Sequence, residues 1–180
     1  MKVISGFLKG RKIEGYDLLG TRPTMDRVKE SLFAMIQDDI IDKVCIDLFA
    51  GSGNLGIEAI SEGAKFCYFI DNNIKAINTI KNNINNLSIS DYVSILKCNY
   101  KTFLENMNNS VDIIFIDPPY KTDYIEKSIK LIDKYNILRE KGLLVCESDN
   151  LDKIVYNDKF EAVKQRKYGD KWIVILKKVL

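Results

Sequence analysis

From residue 44 onward, short apolar runs alternate with segments of helical periodicity, and this alternation restricts the fold more than any other feature of the sequence. The β-branched and aromatic runs predict seven strands, at residues 44–49, 66–70, 93–96, 111–116, 143–147, 160–167 and 172–177. The spacing between them predicts helices at residues 55–62, 73–86, 101–107 and 124–135. Repeated βα units of this kind are typical of an α/β fold with a mostly parallel sheet.

The two ends of the chain depart from that pattern. Only Tyr168-Gly169-Asp170-Lys171 separates the last two predicted strands, so we expect a hairpin that closes the sheet with an antiparallel strand. Ahead of residue 44 lie a short, basic, β-like segment at residues 3–13 and a helix with an apolar face made by Val28, Leu32, Phe33, Met35 and Ile36. Without a linker or an internal repeat, residues 1–180 are expected to form one domain.

Composition narrows the class of protein. A chain of 180 residues that is 46% hydrophobic can bury a substantial core. No apolar stretch approaches the roughly 20 residues that span a bilayer, and the first six residues lack the apolar region of a signal peptide, so we expect a cytoplasmic protein. The net charge of +2 is small, but both ends of the chain are basic.

Histidine is absent, which excludes Ser-His and Cys-His nucleophilic catalysis and histidine-ligated zinc. The cysteines are widely spaced and form no CxxC pair, so we expect buried free thiols at Cys45, Cys67, Cys98 and Cys146. We therefore expect no metal, and proton transfer falls to carboxylates, lysine, tyrosine or water.

A glycine-rich turn follows the first predicted strand. Gly51, Gly53 and Gly56 match the pattern G-x-G-x-x-G, which allows a tight turn and close approach of the backbone to a nucleoside cofactor, although a generic strand-to-helix turn is an alternative. A carboxylate just before this turn is unfavourable beside a pyrophosphate but favourable near the cationic amino-acid end of S-adenosylmethionine. The predicted cofactor-binding residues of this segment are Asp47, Phe49, Ala50, Gly51, Ser52 and Gly53.

Two further strand ends supply polar groups for the same cofactor. Asp71, followed by Asn72, lies about 20 residues beyond the glycines, where a carboxylate accepts hydrogen bonds from ribose hydroxyls; a helix N-cap is the alternative role. Asn99 follows the third strand, and its amide can pair with the edge of adenine or serve only as a turn residue. These positions favour S-adenosylmethionine over a dinucleotide.

The fourth strand ends in Asp117-Pro118-Pro119-Tyr120. Each proline fixes φ and restricts the residue before it, so a carboxylate, a carbonyl and an aromatic ring are presented together on a stiff backbone. In open α/β sheets such strand ends face the ligand crevice. This arrangement suits a flat ring that carries an amine, whereas the alternative is a simple strand-ending turn.

Together these segments resemble class I S-adenosylmethionine-dependent methyltransferases and, more specifically, the RsmD family. The resemblance covers nearly the whole chain, through residues 4–6, 10–12, 21–33, 47–56, 117–120 and 147–148, of which residues 22–30 are the most specific part. It implies a Rossmann-like core at residues 41–180 and an RNA-contacting extension at residues 1–40. It also implies methylation of a guanine N2 amine in 16S ribosomal RNA.

The resemblance further implies roles for individual residues. The base would be held by Asp117, Pro118, Pro119 and Tyr120, and RNA phosphates would be contacted by Arg11, Lys12, Arg22 and Arg27. The expected partner is the ribosomal RNA, within a small-subunit particle, and the expected state is a monomer. Asn99 stands where many of the wider superfamily have Asp, and Tyr120 replaces the Phe of some members.

Several alternatives remain open at this stage. The sequence Asp-Pro-Pro-Tyr would serve a DNA adenine-N6 methyltransferase equally well, although the chain has no room for a separate target-recognition region. The glycines and Asp71 also suit an NAD-dependent oxidoreductase, which leaves residues 117–120 unexplained. A non-catalytic RNA-binding module is a third possibility. No cysteine follows a proline, which argues against pyrimidine carbon-5 methylation and for a nitrogen acceptor.

Overall fold

The computed structural model describes residues 1–15 and 23–180, and its elements follow the predicted order. The helices are α1 Pro23–Ile36, α2 Asn54–Ser61, α3 Ile74–Leu87, α4 Tyr100–Asn106 and α5 Tyr124–Lys134. The strands are β1 Val44–Asp47, β2 Phe66–Asp71, β3 Val93–Lys97, β4 Val111–Ile116, β5 Leu138–Ser148, β6 Phe160–Tyr168 and β7 Lys171–Lys178. Two short 3₁₀ helices lie at Ser90–Tyr92 and Leu151–Lys153.

The strands form one seven-stranded sheet in the order β3-β2-β1-β4-β5-β7-β6. Strands β1 to β5 are parallel, and β7 lies antiparallel between β5 and β6. The predicted α/β fold with an antiparallel terminal hairpin is therefore confirmed. The chain order reverses between β1 and β4, and in open α/β sheets such a switch point opens a crevice at the carboxyl ends of the strands.

Apolar clusters cover both faces of the sheet. On one face, α1, α2 and α3 pack over alternate strand residues such as Cys45, Phe69 and Phe115. On the other, α4 and α5 pack over the intervening residues, such as Ile46 and Ile114. A central strand that is buried on both faces is apolar at nearly every position, which is why the runs that predicted the strands are almost continuous.

Two predicted strand bounds are wrong, and the segment predicted as β-like at residues 3–13 has only a bridge of β-structure. Strand β1 ends at Asp47, because Leu48 and Phe49 already belong to the turn that leads to α2. Strand β5 begins at Leu138, well before residue 143, because Leu138 pairs with Val111 ahead of an irregularity in β4. Residues 3–13 form no strand but a looped segment closed by a single antiparallel bridge between Lys2 and Lys12.

A buried ion pair joins the N-terminal segment, α1 and α2. The Lys29 ammonium lies 3.0 Å from the Glu58 carboxylate and donates hydrogen bonds to the Lys2 carbonyl (2.8 Å) and to Asn54 Oδ1 (2.7 Å). Glu58 also accepts the backbone N–H groups of Ile4 (2.9 Å) and Ser5 (3.2 Å). Asn54 is the first residue of α2, so its hydrogen bond from Lys29 anchors the end of the glycine turn to α1.

Within the described ranges, none of the helices combines the length and the apolar character that crossing a membrane requires. The division of the chain into an extension at residues 1–40 and a core at residues 41–180 stays a prediction.

Candidate active site

A cleft of about 580 Å³ lies at the carboxyl ends of the parallel strands, across the switch point between β1 and β4. Its volume falls within the range of small-ligand sites. All of the residues predicted to bind the cofactor line it, except Gly53, and so do the four residues predicted to hold the base. The residues that were predicted from separate strand ends therefore meet in one cavity, while their individual roles stay predictions.

The glycine turn places the start of α2 against β1 and β2. Gly53 has φ +84°, a left-handed conformation that a residue with a Cβ rarely adopts. At Gly56 an added Cβ would lie 2.4 Å from Cε1 of Phe69 and 2.9 Å from Sγ of Cys67, so only glycine allows this helix to pack so closely on β2. The Gly56 N–H donates to Asp47 Oδ2 at 2.9 Å, which ties the helix to the end of β1.

Asp47 is buried at the floor of the cleft. Burial raises the pKa of its carboxyl to about 7, an effect that the Gly56 N–H opposes and the nearby Asp71 carboxylate reinforces. A carboxyl in this state gains from a cation placed beside it, because the cation compensates the charge that burial disfavours.

Asp71 is held by two backbone donors, one on each carboxylate oxygen. The Gly51 N–H donates to Oδ2 and the Asn73 N–H donates to Oδ1, both at 2.9 Å. The N-cap of α3 is Asn73, so the alternative of Asp71 as that cap is wrong. Both oxygens keep further acceptor capacity at the cleft, as ribose hydroxyls require.

Asn99 caps α4, since its Oδ1 accepts the Lys101 N–H at 2.8 Å. The cap fixes the orientation of the amide at the rim of the cleft, where Cys98 and Asn72 also lie. Of the four free cysteines, Cys45, Cys67 and Cys146 are buried as expected, and Cys98 is half-buried.

An aromatic wall that the sequence did not predict lines the cleft. The Phe49 ring is nearly parallel to the Tyr124 ring, with centroids 5.9 Å apart and planes at 4°, and Tyr100 packs against both. Burial raises the pKa of Tyr100 to about 12, and its hydroxyl has no hydrogen-bond partner among the described residues. Flat apolar surface with one unpartnered hydroxyl is suited to an adenine ring or another base.

The charged side chains of Asp117, Glu147 and Lys171 meet beyond the end of β4. Glu147 comes from the end of β5 and Lys171 from the start of β7, and Lys171 Nζ lies 2.6 Å from Glu147 Oε1. The same ammonium lies 5.6 Å from the centroid of the Tyr120 ring. Burial raises the pKa of Asp117 well above its usual range, and the Glu147 charge raises it further, whereas Lys171 lowers it. Burial opposes the charge on Lys171, but the Glu147 carboxylate outweighs it, so the Lys171 pKa lies above its usual range.

The sequence analysis missed Lys171 and did not assign Glu147 to the site. The position of Glu147 at a predicted strand end was a usable signal, because that strand is parallel and points to the same edge of the sheet. Lys171 gave no such signal, since its place depends on the antiparallel insertion of β7 next to β5.

The predicted RNA-contacting cations lie on the N-terminal segment and α1. Lys12 and Arg27 are exposed, and Arg27 belongs to the helix whose Met25, Val28 and Lys29 line the cleft. The Arg11 guanidinium donates to the Asn86 carbonyl at 2.7 Å, so part of its role is to hold the C-terminal end of α3. Arg22 lies outside the described residues.

The polar and aromatic groups that line the cleft fit a nucleoside with a positively charged tail. Carboxylates at Asp47 and Asp71, the capped amide of Asn99 and the aromatic wall provide acceptors for cations and hydroxyls together with a surface for a base. Among residues 1–15 and 23–180, no group of three or more cysteine or carboxylate side chains is arranged to hold a metal ion.

The chain matches a family described as conserved hypothetical protein 95 over residues 1–177. It is 36% identical over 165 residues to the ribosomal RNA small subunit methyltransferase D of Buchnera aphidicola from Acyrthosiphon pisum, covering 91% of this chain and 86% of that protein. It is 33% identical over 149 residues to the protein of the same name from Escherichia coli K12, covering 83% of this chain and 75% of that protein.

Solved structures give the same picture of the fold. The structure described as "Putative methyltransferase yhhF from Escherichia coli" superposes with a TM-score of 0.89 at 27% sequence identity, over 99% of this chain and 98% of that one. TrmN from Thermus thermophilus, at 18% identity, superposes with a TM-score of 0.71 over 91% of this chain and 51% of that one, and shares the fold.

Proposed function

We propose that this chain methylates the N2 amine of a guanine in 16S ribosomal RNA. The premise is that the chain belongs to the conserved hypothetical protein 95 family, which is the RsmD family of methyltransferases. The product would be N2-methylguanosine. The observation that carries the proposal is the convergence of residues 117–120 with the glycine turn and Asp71 in one cleft. The names of the relatives support the small-subunit RNA as substrate.

S-adenosylmethionine is the expected cofactor, and when bound it supplies an electrophilic methyl group on a sulfonium centre. Asp47 would attract the cationic amino-acid end of the cofactor, Asp71 its ribose hydroxyls and Asn99 the edge of its adenine. The backbone N–H groups of residues 51, 56 and 73 already fix the two carboxylates. The cofactor side of the site is therefore preorganised.

Residues 117–120 would act on the base. The lone pair of an exocyclic amine is conjugated with its ring, so acceptors that draw its hydrogens out of the plane make the nitrogen a better nucleophile. The Asp117 carboxylate and the Pro118 carbonyl are the proposed acceptors, and the Tyr120 ring would stack on the base, a contact worth about 1–3 kcal/mol. The raised pKa of Asp117 makes it a better base than an ordinary aspartate for the proton that the methylated nitrogen must lose.

RNA contact is proposed for Lys12, Arg27, Arg11 and Arg22. To leave the Arg11–Asn86 contact intact, the test uses Lys12→Glu/Arg27→Glu, with Lys130→Glu/Lys134→Glu on α5 as the control of equal charge change. We expect the first pair to weaken RNA binding and to reduce the slope of log affinity against log salt by about 1.4 to 1.8. Equal effects of the two pairs would refute this surface, and cofactor affinity should not change in either.

The reaction is tested with methyl-labelled S-adenosylmethionine and three acceptors: undermethylated small ribosomal subunits, their naked RNA and duplex DNA. N2-methylguanosine from the ribosomal material is the expected product. Asp117→Ala should retain cofactor binding and lose roughly 10²-fold or more in kcat, whereas Glu126→Gln on the exposed face of α5 should not differ from the wild type.

Each other outcome of this assay has a distinct meaning. Label in N6-methyladenine of DNA would assign the enzyme to the adenine alternative. Cofactor binding with no label in any acceptor would support a non-catalytic RNA-binding module.

The same assay compares the rate of methylation of the assembled subunit with that of its naked RNA. A measurement of molecular size in solution tests the expected monomer. Similarity to proteins named ribosomal RNA small subunit methyltransferase D argues against the NAD-dependent oxidoreductase.

A further inference from the structure

Three neighbouring strands deliver Asp117, Glu147 and Lys171 to one wall of the cleft, in that spatial order. Strands β4, β5 and β7 are adjacent in the sheet, and all three side chains line the cavity beside the Tyr120 ring. The mechanism proposed above uses Asp117 and Tyr120 but assigns nothing to the other two residues.

Glu147 is an unusual residue for this position. Only 6% of it is exposed, and its Oε1 contacts the Lys171 ammonium at 2.6 Å without a directed hydrogen bond to any of the described residues. Burying the Glu147 carboxylate costs on the order of several kcal/mol, whereas the Lys171 side chain keeps 33% of its surface exposed. The strand pairing between β5 and β7 does not require these charges, since it consists of backbone hydrogen bonds. The pair therefore presents an acceptor and a donor to the cleft at a cost to stability.

The bases with an exocyclic amine differ in the atoms that follow this amine along the Watson–Crick edge. In guanine the N2 amine is followed by N1–H, a donor, and then by O6, an acceptor. In adenine the N6 amine is followed by N1, and in cytosine the N4 amine is followed by N3, and both of these ring nitrogens are acceptors. The second position along the edge thus separates guanine from the other two bases.

We propose, resting on the methylation of an exocyclic amine inferred above, that Glu147 and Lys171 select guanine, with the Glu147 carboxylate accepting N1–H and the Lys171 ammonium donating to O6. With the amine at Asp117 and the Pro118 carbonyl, the spatial order of the three side chains matches the order N2, N1 and O6. Adenine or cytosine in the same place would bring a ring-nitrogen lone pair against the Glu147 carboxylate, a repulsion that the Lys171 contact at 2.6 Å does not remove. Sites built around a hydrogen bond reject analogues that lack it much more strongly than apolar pockets reject a change in size.

The test replaces the target guanosine with 2-aminopurine riboside in small subunits reconstituted from ligated RNA, after the labelled nucleotide has been identified. This analogue keeps the amine at C2 but carries an unprotonated N1 and a hydrogen in place of O6. We expect the wild-type enzyme to prefer guanosine by roughly 100-fold or more in kcat/KM.

Two variants separate base reading from a structural role. Glu147→Gln is isosteric and can donate to an unprotonated N1, so we expect it to reduce the preference for guanosine to about tenfold or less, chiefly by accepting 2-aminopurine. Lys171→Met, which removes the O6 donor, should also reduce the preference. Glu126→Gln on α5 is the matched control and should leave the preference unchanged. Cofactor affinity and unfolding temperature are measured for each variant, since a purely structural pair would change those without changing the ratio between the two bases.

Two outcomes would overturn the inference: equal methylation of guanosine and 2-aminopurine by the wild type, or an unchanged preference in both variants. Failure of the proposed function itself looks different, because the wild type would then methylate neither substrate, or the label would appear away from the C2 amine.

Discussion

Replacing Lys29 with Met should destabilise the protein severely, because it leaves the Glu58 carboxylate buried without its counter-ion. The side chains of the two residues are 1% and 0% exposed, so water cannot compensate the lost charge. The substitution also removes the hydrogen-bond donor to the Lys2 carbonyl and to Asn54 Oδ1. Breaking a buried ion pair from one side typically costs about 3–5 kcal/mol.

The expected change in unfolding temperature follows from the size of the chain. An unfolding entropy of about 2.1 cal/mol/K per residue gives roughly 0.38 kcal/mol/K for 180 residues. A loss of 3–5 kcal/mol therefore lowers Tm by about 8–13 °C. Circular dichroism and calorimetry measure this shift, and denaturant unfolding gives the free energy independently.

The control is Lys130→Met, which breaks an ion pair with Glu126 that is shorter, at 2.7 Å against 3.0 Å, but whose side chains are 71% and 36% exposed. Its expected cost is at most about 0.5 kcal/mol. The double variant Lys29→Met/Glu58→Gln should be no less stable than Lys29→Met alone, because removing both charges relieves the uncompensated carboxylate. At about 0.4 kcal/mol per degree, a difference of 2 °C corresponds to less than about 1 kcal/mol. A Lys29→Met protein that unfolds within about 2 °C of the control would therefore refute the predicted loss of about 3–5 kcal/mol.

Two further predictions concern the cofactor side of the cleft. Because the pKa of Asp47 is raised to about 7, the fraction of Asp47 that is a carboxylate grows from pH 6 to pH 8. Calorimetry should therefore show that the affinity for S-adenosylmethionine, a cation, rises up to roughly tenfold over that range in the wild type but not in Asp47→Asn. An identical pH dependence in Asp47→Asn would contradict this. Gly56→Ala places a Cβ 2.4 Å from Phe69 and should lower stability by about 1–3 kcal/mol and weaken cofactor binding. Gly10→Ala strains a backbone at φ +83° but has open space around its Cβ and lies outside the cleft, so it should leave cofactor binding unchanged.

The sequence was sufficient to predict the elements whose determinants are local. The continuous apolar runs of β1, β2 and β4 follow from burial on both faces, and the turn at Gly53 follows from a conformation that only glycine adopts readily. The position of Asp117 at a strand end was equally predictable, because a rigid Pro-Pro pair follows it.

Features that depend on distant pairing were not predictable in this way. Strand β5 begins early only because Leu138 finds Val111 beside it, and the looped N-terminal segment depends on Glu58, more than 50 residues away in sequence, accepting its N–H groups. The Tyr100 and Tyr124 rings meet Phe49 only when α4 and α5 pack together. Periodicity records which face of an element is buried but carries no information about its partner.

The charge distribution places a constraint on how RNA can approach this protein. Four carboxylates, at Asp47, Asp71, Asp117 and Glu147, line the cleft, against the cations Lys29 and Lys171. Such a cavity favours a cationic sulfonium over a phosphate, because a cation compensates the charge that burial disfavours at Asp47 and Asp117, so we expect the RNA backbone to stay outside it. A base that is flipped out of its stack can enter alone, while its flanking phosphates stay outside. The exposed cation Arg27 lies on the helix that borders the cleft, where such phosphates would need neutralising, and Lys12 is exposed on the N-terminal segment, whose Lys2 carbonyl accepts from Lys29 of that helix. We infer that cofactor binding and RNA binding use separate surfaces of opposite charge, and that only the target base crosses from one to the other.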